Sequence, residues 1–97
     1  MVRTDPSDDA RVTILVRGRV QGVGYREYIR NRARRLGCTG FARNELDGSV
    51  TIVAEGSRQS LEELLALARR GPITAHVESI DTHWAPSLAE YTSFERC

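Results

Sequence analysis

Apolar and polar residues alternate at the start of the ordered pattern. Val12, Ile14 and Val16 fall on one side, and Thr13, Leu15 and Arg17 on the other. A period of two predicts a half-buried strand over residues 11–17. Beyond a glycine-rich stretch the period changes. Tyr25, Ile29, Ala33 and Leu36 recur at helical spacing and predict a helix from about residue 23 to 36, ended by Gly37. Residues 39–45 and 49–55 read as two strands joined by Leu46-Asp47-Gly48, since Asp-Gly between apolar runs signals a hairpin. Val50 and Ile52 are assigned to the core side of the second of these, Thr51 and Val53 to the other. Gly56 is expected to break the run.

Ser57 can cap a second helix whose apolar stripe is Leu61, Leu64, Leu65 and Ala68. Arg69 and Arg70 suit its last turn, and Gly71-Pro72 stops it. Residues 76–84 read as a strand, but Val77 and Ile80 are three apart, which calls for a bulge or a helical first turn. Ala85-Pro86-Ser87 reads as a loop and Tyr91 to Phe94 as a short last strand. Residues 1–10 are polar and patternless and are expected to fray, which leaves one domain over 11–97. The order is β-α-β-β-α-β plus a short fifth strand. It predicts an α+β, ferredoxin-like split βαβ sandwich: an antiparallel or mixed sheet with two helices on one face.

Ninety-seven residues suffice for one packed core. No apolar run is long enough to span a bilayer, and no secretory signal opens the sequence, so a cytoplasmic protein is expected. The net charge of +1 conceals an uneven distribution. Residues 17–35 hold seven arginines against one acid, Glu27. A local basic zone on a near-neutral chain suits a small anionic ligand better than a long nucleic acid. Arg30, Arg32, Arg34 and Arg35 are read as a solvated helix face. All 14 basic residues are arginine, which excludes lysine nucleophiles and Schiff bases.

The basic zone contains Gly18-Arg19-Val20-Gln21-Gly22-Val23-Gly24-Tyr25-Arg26, between the first strand and the first helix. A strand, a glycine loop and a helix start form a place to hold an anion, because backbone N–H groups converge there and the helix dipole favours negative charge. Arg26, in the first helical turn, brings a fork of donors suited to phosphate oxygens. In the predicted topology strands one and two point the same way. Asn44, at the end of strand two, therefore comes to the same edge of the sheet as the glycine loop, about 5–10 Å away. Its amide can accept from a water and donate to an oxyanion.

The glycine stretch resembles the first signature of the acylphosphatase family. Gly40-Phe41-Ala42-Arg43-Asn44-Glu45-Leu46-Asp47-Gly48-Ser49-Val50 resembles its second, and Gly71-Pro72-Ile73-Thr74-Ala75-His76-Val77 is similar to the segment after its second helix. The resemblance covers residues 12 to 95. It implies hydrolysis of the carboxyl–phosphate anhydride of acyl phosphates without metal or other cofactor. It also implies that Arg26 binds the phosphate and Asn44 positions the attacking water. The cradle would comprise Arg19, Val20, Gln21, Gly22, Val23, Gly24 and Arg26, with inorganic phosphate or sulfate as further occupants. Tyr25 stands where the family commonly has Phe, and Phe41-Ala42 where it has Trp-Val.

Other chemistries fit less well. Asp47 and Glu45 read as a turn residue and a solvated acid rather than bases. His76 and His83 would lie on opposite faces of one strand by alternation, which disfavours a joint metal site. Ser49 and Thr51 lack a His–Asp arrangement. Trp84 reads as packing. Cys38 and Cys97 should lie at opposite ends of the sheet as free thiols, if strand five runs parallel beside strand two. The same topology brings the end of the chain toward the glycine loop, where its carboxylate is expected to pair with an arginine. The alternative is a non-catalytic phosphate- or nucleic-acid-binding module of this fold. The third strand, Ser49-Val50-Thr51-Ile52-Val53-Ala54, has no ring on which to stack a base. A stand-alone, monomeric hydrolase acting on a small acyl phosphate is expected, with neither nucleic acid nor membrane as partner.

Overall fold

The structure, a computed structural model, describes residues 9–97. The chain forms β1 (Asp9–Arg19), α1 (Tyr25–Arg35), β2 (Thr39–Asn44), β3 (Val50–Ser57), α2 (Arg58–Arg70), β4 (His76–Pro86) and β5 (Phe94–Arg96). The five strands make one mixed sheet in the order β4-β1-β3-β2-β5. The β1–β3, β1–β4 and β2–β3 pairs are antiparallel and β2–β5 is parallel. The architecture is the ferredoxin-like α+β sandwich that the periodicities predict.

Alternation and helical spacing converge on one core. Val12, Ile14 and Val16 of β1, Ala42 of β2, and Val50, Ile52 and Ala54 of β3 are fully buried. Tyr25, Ile29 and Ala33 of α1 and Leu61, Leu64 and Ala68 of α2 cover them. Leu36 and Leu65, expected in the stripes, are only partly buried at its margin. Ser57 caps α2 by accepting from the Ser60 amide at 3.1 Å. The Tyr25 hydroxyl donates to the Ala68 carbonyl at 2.7 Å. It therefore satisfies a carbonyl in the last turn of α2 that a phenylalanine would leave without this partner.

Several boundaries differ from the sequence reading, each for a pairing reason. Residues 1–8 lie outside the described residues. Asp9 and Ala10, expected in the tail, are strand, because they pair with Ser57 and Gly56. The same pairs carry β3 through Gly56, which does not break it. Pro86 belongs to β4 rather than to a loop; β4 is an edge strand, where a missing N–H costs no ladder bond. The expected irregularity in β4 is a bulge: Arg17 pairs with Ser79 and Gly18 with Val77, leaving Glu78 as the extra residue. That residue changes the alternation, so His76 and His83 share the face away from the helices instead of opposing one another. Both are exposed, about 20 Å apart at strand rise. Among the described residues no group of three His, Cys, Asp or Glu is placed to hold a metal.

The last strand begins at Phe94, not Tyr91, because the preceding segment is occupied elsewhere. Glu55 is buried on the helix-free face of β3 and accepts from the Leu88 amide at 2.9 Å and the Glu90 amide at 3.1 Å. Arg11 donates to it at 3.0 Å and lies over the Tyr91 ring, which meets Phe41 edge-on at 5.8 Å between centroids. Residues 87–91 thus cross over the outer face at Glu55 and Phe41, a face that alternation alone would leave open. Burial of Glu55 disfavours its charge, but the amides of Leu88 and Glu90 and the Arg11 guanidinium outweigh it and hold the carboxyl below its usual range.

A lowered folded-state value gives stability that is full above the unfolded carboxylate value of about 4.3 and is lost as pH falls through the folded one. Glu55→Gln is expected to lower stability by about 1–3 kcal/mol at neutral pH. The deficit should shrink in acid as the wild-type carboxylate is protonated, as urea midpoints at the two pH values would show. The cysteines are unpaired, Cys38 buried and Cys97 exposed. Burial, with Glu63 nearby, pushes the Cys38 thiol up to about 11. A thiol reagent is expected to titrate one cysteine quickly in the native protein and both in denaturant.

Candidate functional site

β1 and β2 run the same way because both are antiparallel to β3, which lies between them. Their C-terminal ends carry the glycine loop and Asn44 to one edge. At Gly18, opposite the bulge, φ is +131° and a Cβ would lie 2.2 Å from the His76 carbonyl oxygen. Only glycine fits so close to the neighbouring backbone. The loop then turns through Gly22 and Gly24, both in the left-handed region at φ +74° and +80°. Gly24 is the N-cap of α1 and supplies no side-chain cap. The first-turn amides of the helix, which have no intrahelical acceptor, therefore open beside the loop.

Val20, Gly22, Gly24, Tyr25, Arg26, Glu27, Asn44 and Arg96 line a cavity of about 170 Å³ at this edge. The site residues read from the sequence divide into two groups. Val20, Gly22, Gly24, Arg26 and Asn44 meet around the cavity. Arg19, Gln21 and Val23 are not among its lining residues. Arg19 is exposed at the end of β1 opposite His76. The Val23 carbonyl accepts from the Thr74 hydroxyl at 2.7 Å, tying the loop to the segment after α2. The Gln21 side chain turns toward the β2–β3 hairpin and donates to the Glu45 carbonyl at 2.7 Å and the Ser49 carbonyl at 2.9 Å.

The Gln21 contact was not legible in the sequence, where Gln21 is one more residue in a loop. Its amide joins the two separated signatures physically. The hairpin it grips is itself closed by the Glu45 amide on the Ser49 carbonyl at 2.8 Å. Asp47 accepts from both the Ser49 amide and hydroxyl. Ser49, chiefly through its hydroxyl, holds the Asp47 carboxyl below its usual range. Hydrogen bonds from Thr51 and then Arg43 do the same for Glu45. Both acids are thus occupied in holding the turn.

Around the cavity the charge is mostly positive. Arg26 forms no ion pair with a side-chain carboxylate among the described residues; it donates to the Cys97 main-chain oxygen, the kind of contact expected between this edge and the end of the chain. Glu27 is bound by Arg30 and lies 3.6 Å from Arg96. Of the arginines read as a solvated face, Arg34 and Arg35 are exposed, whereas Arg30 and Arg32 are partly buried. Arg30 holds Glu27, Arg32 lies over the Tyr28 ring at 4.2 Å, and Arg34 donates to the Phe94 carbonyl at 2.9 Å. Across the cavity wall, the Asn44 side-chain oxygen is buried and has no hydrogen-bond partner. A buried acceptor in that state is costly unless a ligand or water meets it.

Donors for an anion beside an unpartnered acceptor, on a ferredoxin-like sandwich, suit a protein that binds a small anion. Comparison with known proteins agrees. The Acylphosphatase family model matches residues 12–96. An acylphosphatase of Salinibacter ruber is 46% identical over 86 residues, covering 89% of this chain and 90% of that one. Solved acylphosphatases from Bacillus subtilis and Coxiella burnetii superpose with TM-scores of 0.88 and 0.86. Each is 31% identical; the first pair covers 91% of this chain and 98% of the other, the second 93% and 94%. The chain belongs to the acylphosphatase family, whose activity is hydrolysis of the carboxyl–phosphate bond of acyl phosphates.

Gln21→Ala removes two hydrogen bonds between loop and hairpin. It is expected to cost about 1–2 kcal/mol of stability and to speed amide exchange at Glu45. Unchanged exchange there would mean that the hairpin holds its position without the loop.

Proposed function

We propose that Arg26 binds the transferred phosphoryl group and Asn44 holds the attacking water, in a hydrolysis that needs no metal. The observation that carries this reading is that Asn44, whose buried side-chain oxygen has no partner, lines the same cavity as Arg26. The phosphoryl oxygens lie against Arg26 and the amides at the start of α1, so Arg26 exchanges its contact with the Cys97 oxygen for the substrate. Charge on the equatorial oxygens is then met by fixed donors, which is most of what phosphoryl transfer asks of a protein. Asn44 accepts from the water and orients it in line with the bond to be broken. The water oxygen bonds to phosphorus and the P–O bond to the acyl group breaks. The carboxylate departs with the electron pair, and the water proton passes to a phosphate oxygen.

A carboxylate is a good leaving group and requires no general acid. Glu45 and Asp47 are held in the turn, and Glu27 is engaged by Arg30, so this route assigns none of them as base. Val20, Gly22 and Gly24 wall the cradle. Gln21 and Val23 support it from outside, through the hairpin carbonyls and the Thr74 hydroxyl, and Arg19 adds positive charge at the end of β1. Inorganic phosphate, a product, should occupy the same place. We further read the enzyme as a cytoplasmic monomer; two unpaired cysteines suit a reducing compartment, and no helix among the described residues is long and apolar enough to cross a membrane.

The test is benzoyl phosphate hydrolysis in the presence of EDTA. Wild type is expected to turn over. Arg26→Ala and Asn44→Ala should each lose about a hundredfold or more in kcat. Phosphate binding should weaken at least about tenfold in Arg26→Ala, the size of a charge-assisted hydrogen bond, and stay near wild type in Asn44→Ala. Full turnover in either folded variant would remove that residue from the mechanism.

A further inference from the structure

The cavity is small, about 170 Å³. With the phosphoryl group beside Arg26, the acyl part of a larger substrate extends toward the exposed rim. Glu27 and Arg96 are half-exposed members of the lining, with side chains 39% and 47% accessible, and so belong to its solvent-facing rim.

These two residues are not equally committed. Arg30 donates to Glu27 Oε2 and neutralises it. Arg96 Nε stands 3.6 Å from Glu27 Oε1, beyond ordinary hydrogen-bond range. Two guanidiniums thus share one carboxylate, Arg30 closely and Arg96 loosely. With Arg30 bonded to Glu27 and Arg96 only loosely paired with it, Arg96 keeps positive charge to offer a group bound in the cavity it lines. The fold also fixes its place. Arg96 pairs with Ala42 in the parallel β2–β5 ladder, two residues before Asn44 on the adjacent strand, so its backbone sits about 8 Å from that of Asn44.

We propose that Arg96 is a specificity residue. It favours acyl phosphates whose acyl group carries a second anionic substituent, a carboxylate or phosphate ester, over those with an uncharged acyl group. The inference rests on the placement of the phosphoryl group beside Arg26. Arg96 attracts the substituent as a half-solvated cation, so the gain is modest and falls with salt.

The experiment compares kcat/KM for benzoyl phosphate with that for its 3- and 4-carboxy derivatives at low ionic strength. Wild type is expected to favour at least one carboxylated substrate by about fivefold, the upper size of an exposed ion pair. Arg96→Gln should bring the ratio to about one, Arg96→Lys should keep most of it, and about 0.5 M salt should abolish it. A merely structural Arg96 would lower all three substrates together and leave the ratio unchanged, which would overturn the proposal, as would the absence of a preference in wild type. Arg26→Ala is assayed alongside. Full turnover of benzoyl phosphate in that variant would remove the phosphoryl placement and this inference with it, whereas an unchanged ratio in Arg96→Gln overturns this inference alone.

Discussion

The antiparallel pairing of β3 with both β1 and β2 governs the site. It forces β1 and β2 to point the same way and sets their ends two strand spacings apart, about 10 Å. A phosphoryl group and a water fit within such a gap. The two signature segments are separated by a whole helix in sequence, and neither forms a site alone. Gln21 completes the arrangement by bonding the loop to the hairpin carbonyls of Glu45 and Ser49. The sheet sets the coarse distance, and this side chain locks the two connections against each other.

The helix adds the charge. α1 begins at a glycine with no side-chain cap, and the sheet edge brings that start beside Asn44. The uneven charge of the chain follows from the same place. Arginines run along α1 and into β5, and several are held by local partners: Arg30 by Glu27, Arg34 by the Phe94 carbonyl. The result is a small positive site on a chain of net charge +1, a distribution that attracts a compact anion without making a broad basic surface.

A second support lies on the opposite face. Glu55 collects the amides of Leu88 and Glu90 and the Arg11 side chain, and so lays residues 87–91 across the sheet. That crossing delivers the chain to β5, where Arg96 reaches the cavity. A buried carboxylate on the opposite face thereby helps to place a residue of the cavity lining. Tyr25 does comparable work between the helices, since its hydroxyl occupies a carbonyl at the end of α2.

Local periodicity determined the element order, the core residues of β1, α1, β3 and α2, and the position of the glycine loop, because these depend on neighbours within one strand or helix. With the topology that order implies, the meeting of Arg26 and Asn44 was also legible. The irregularity of Val77 and Ile80 announced the bulge but not its consequence for His76 and His83, which needed the identity of the extra residue, Glu78. Strand ends at Asp9, Ser57 and Pro86 were set by partners on other strands, and no local signal records those. The side-chain roles of Gln21, Glu27, Glu55 and Arg96 were decided by tertiary structure alone. Each depends on groups brought close only when the sheet is assembled, since a lone Gln, Glu or Arg in sequence carries no mark of what will stand opposite it.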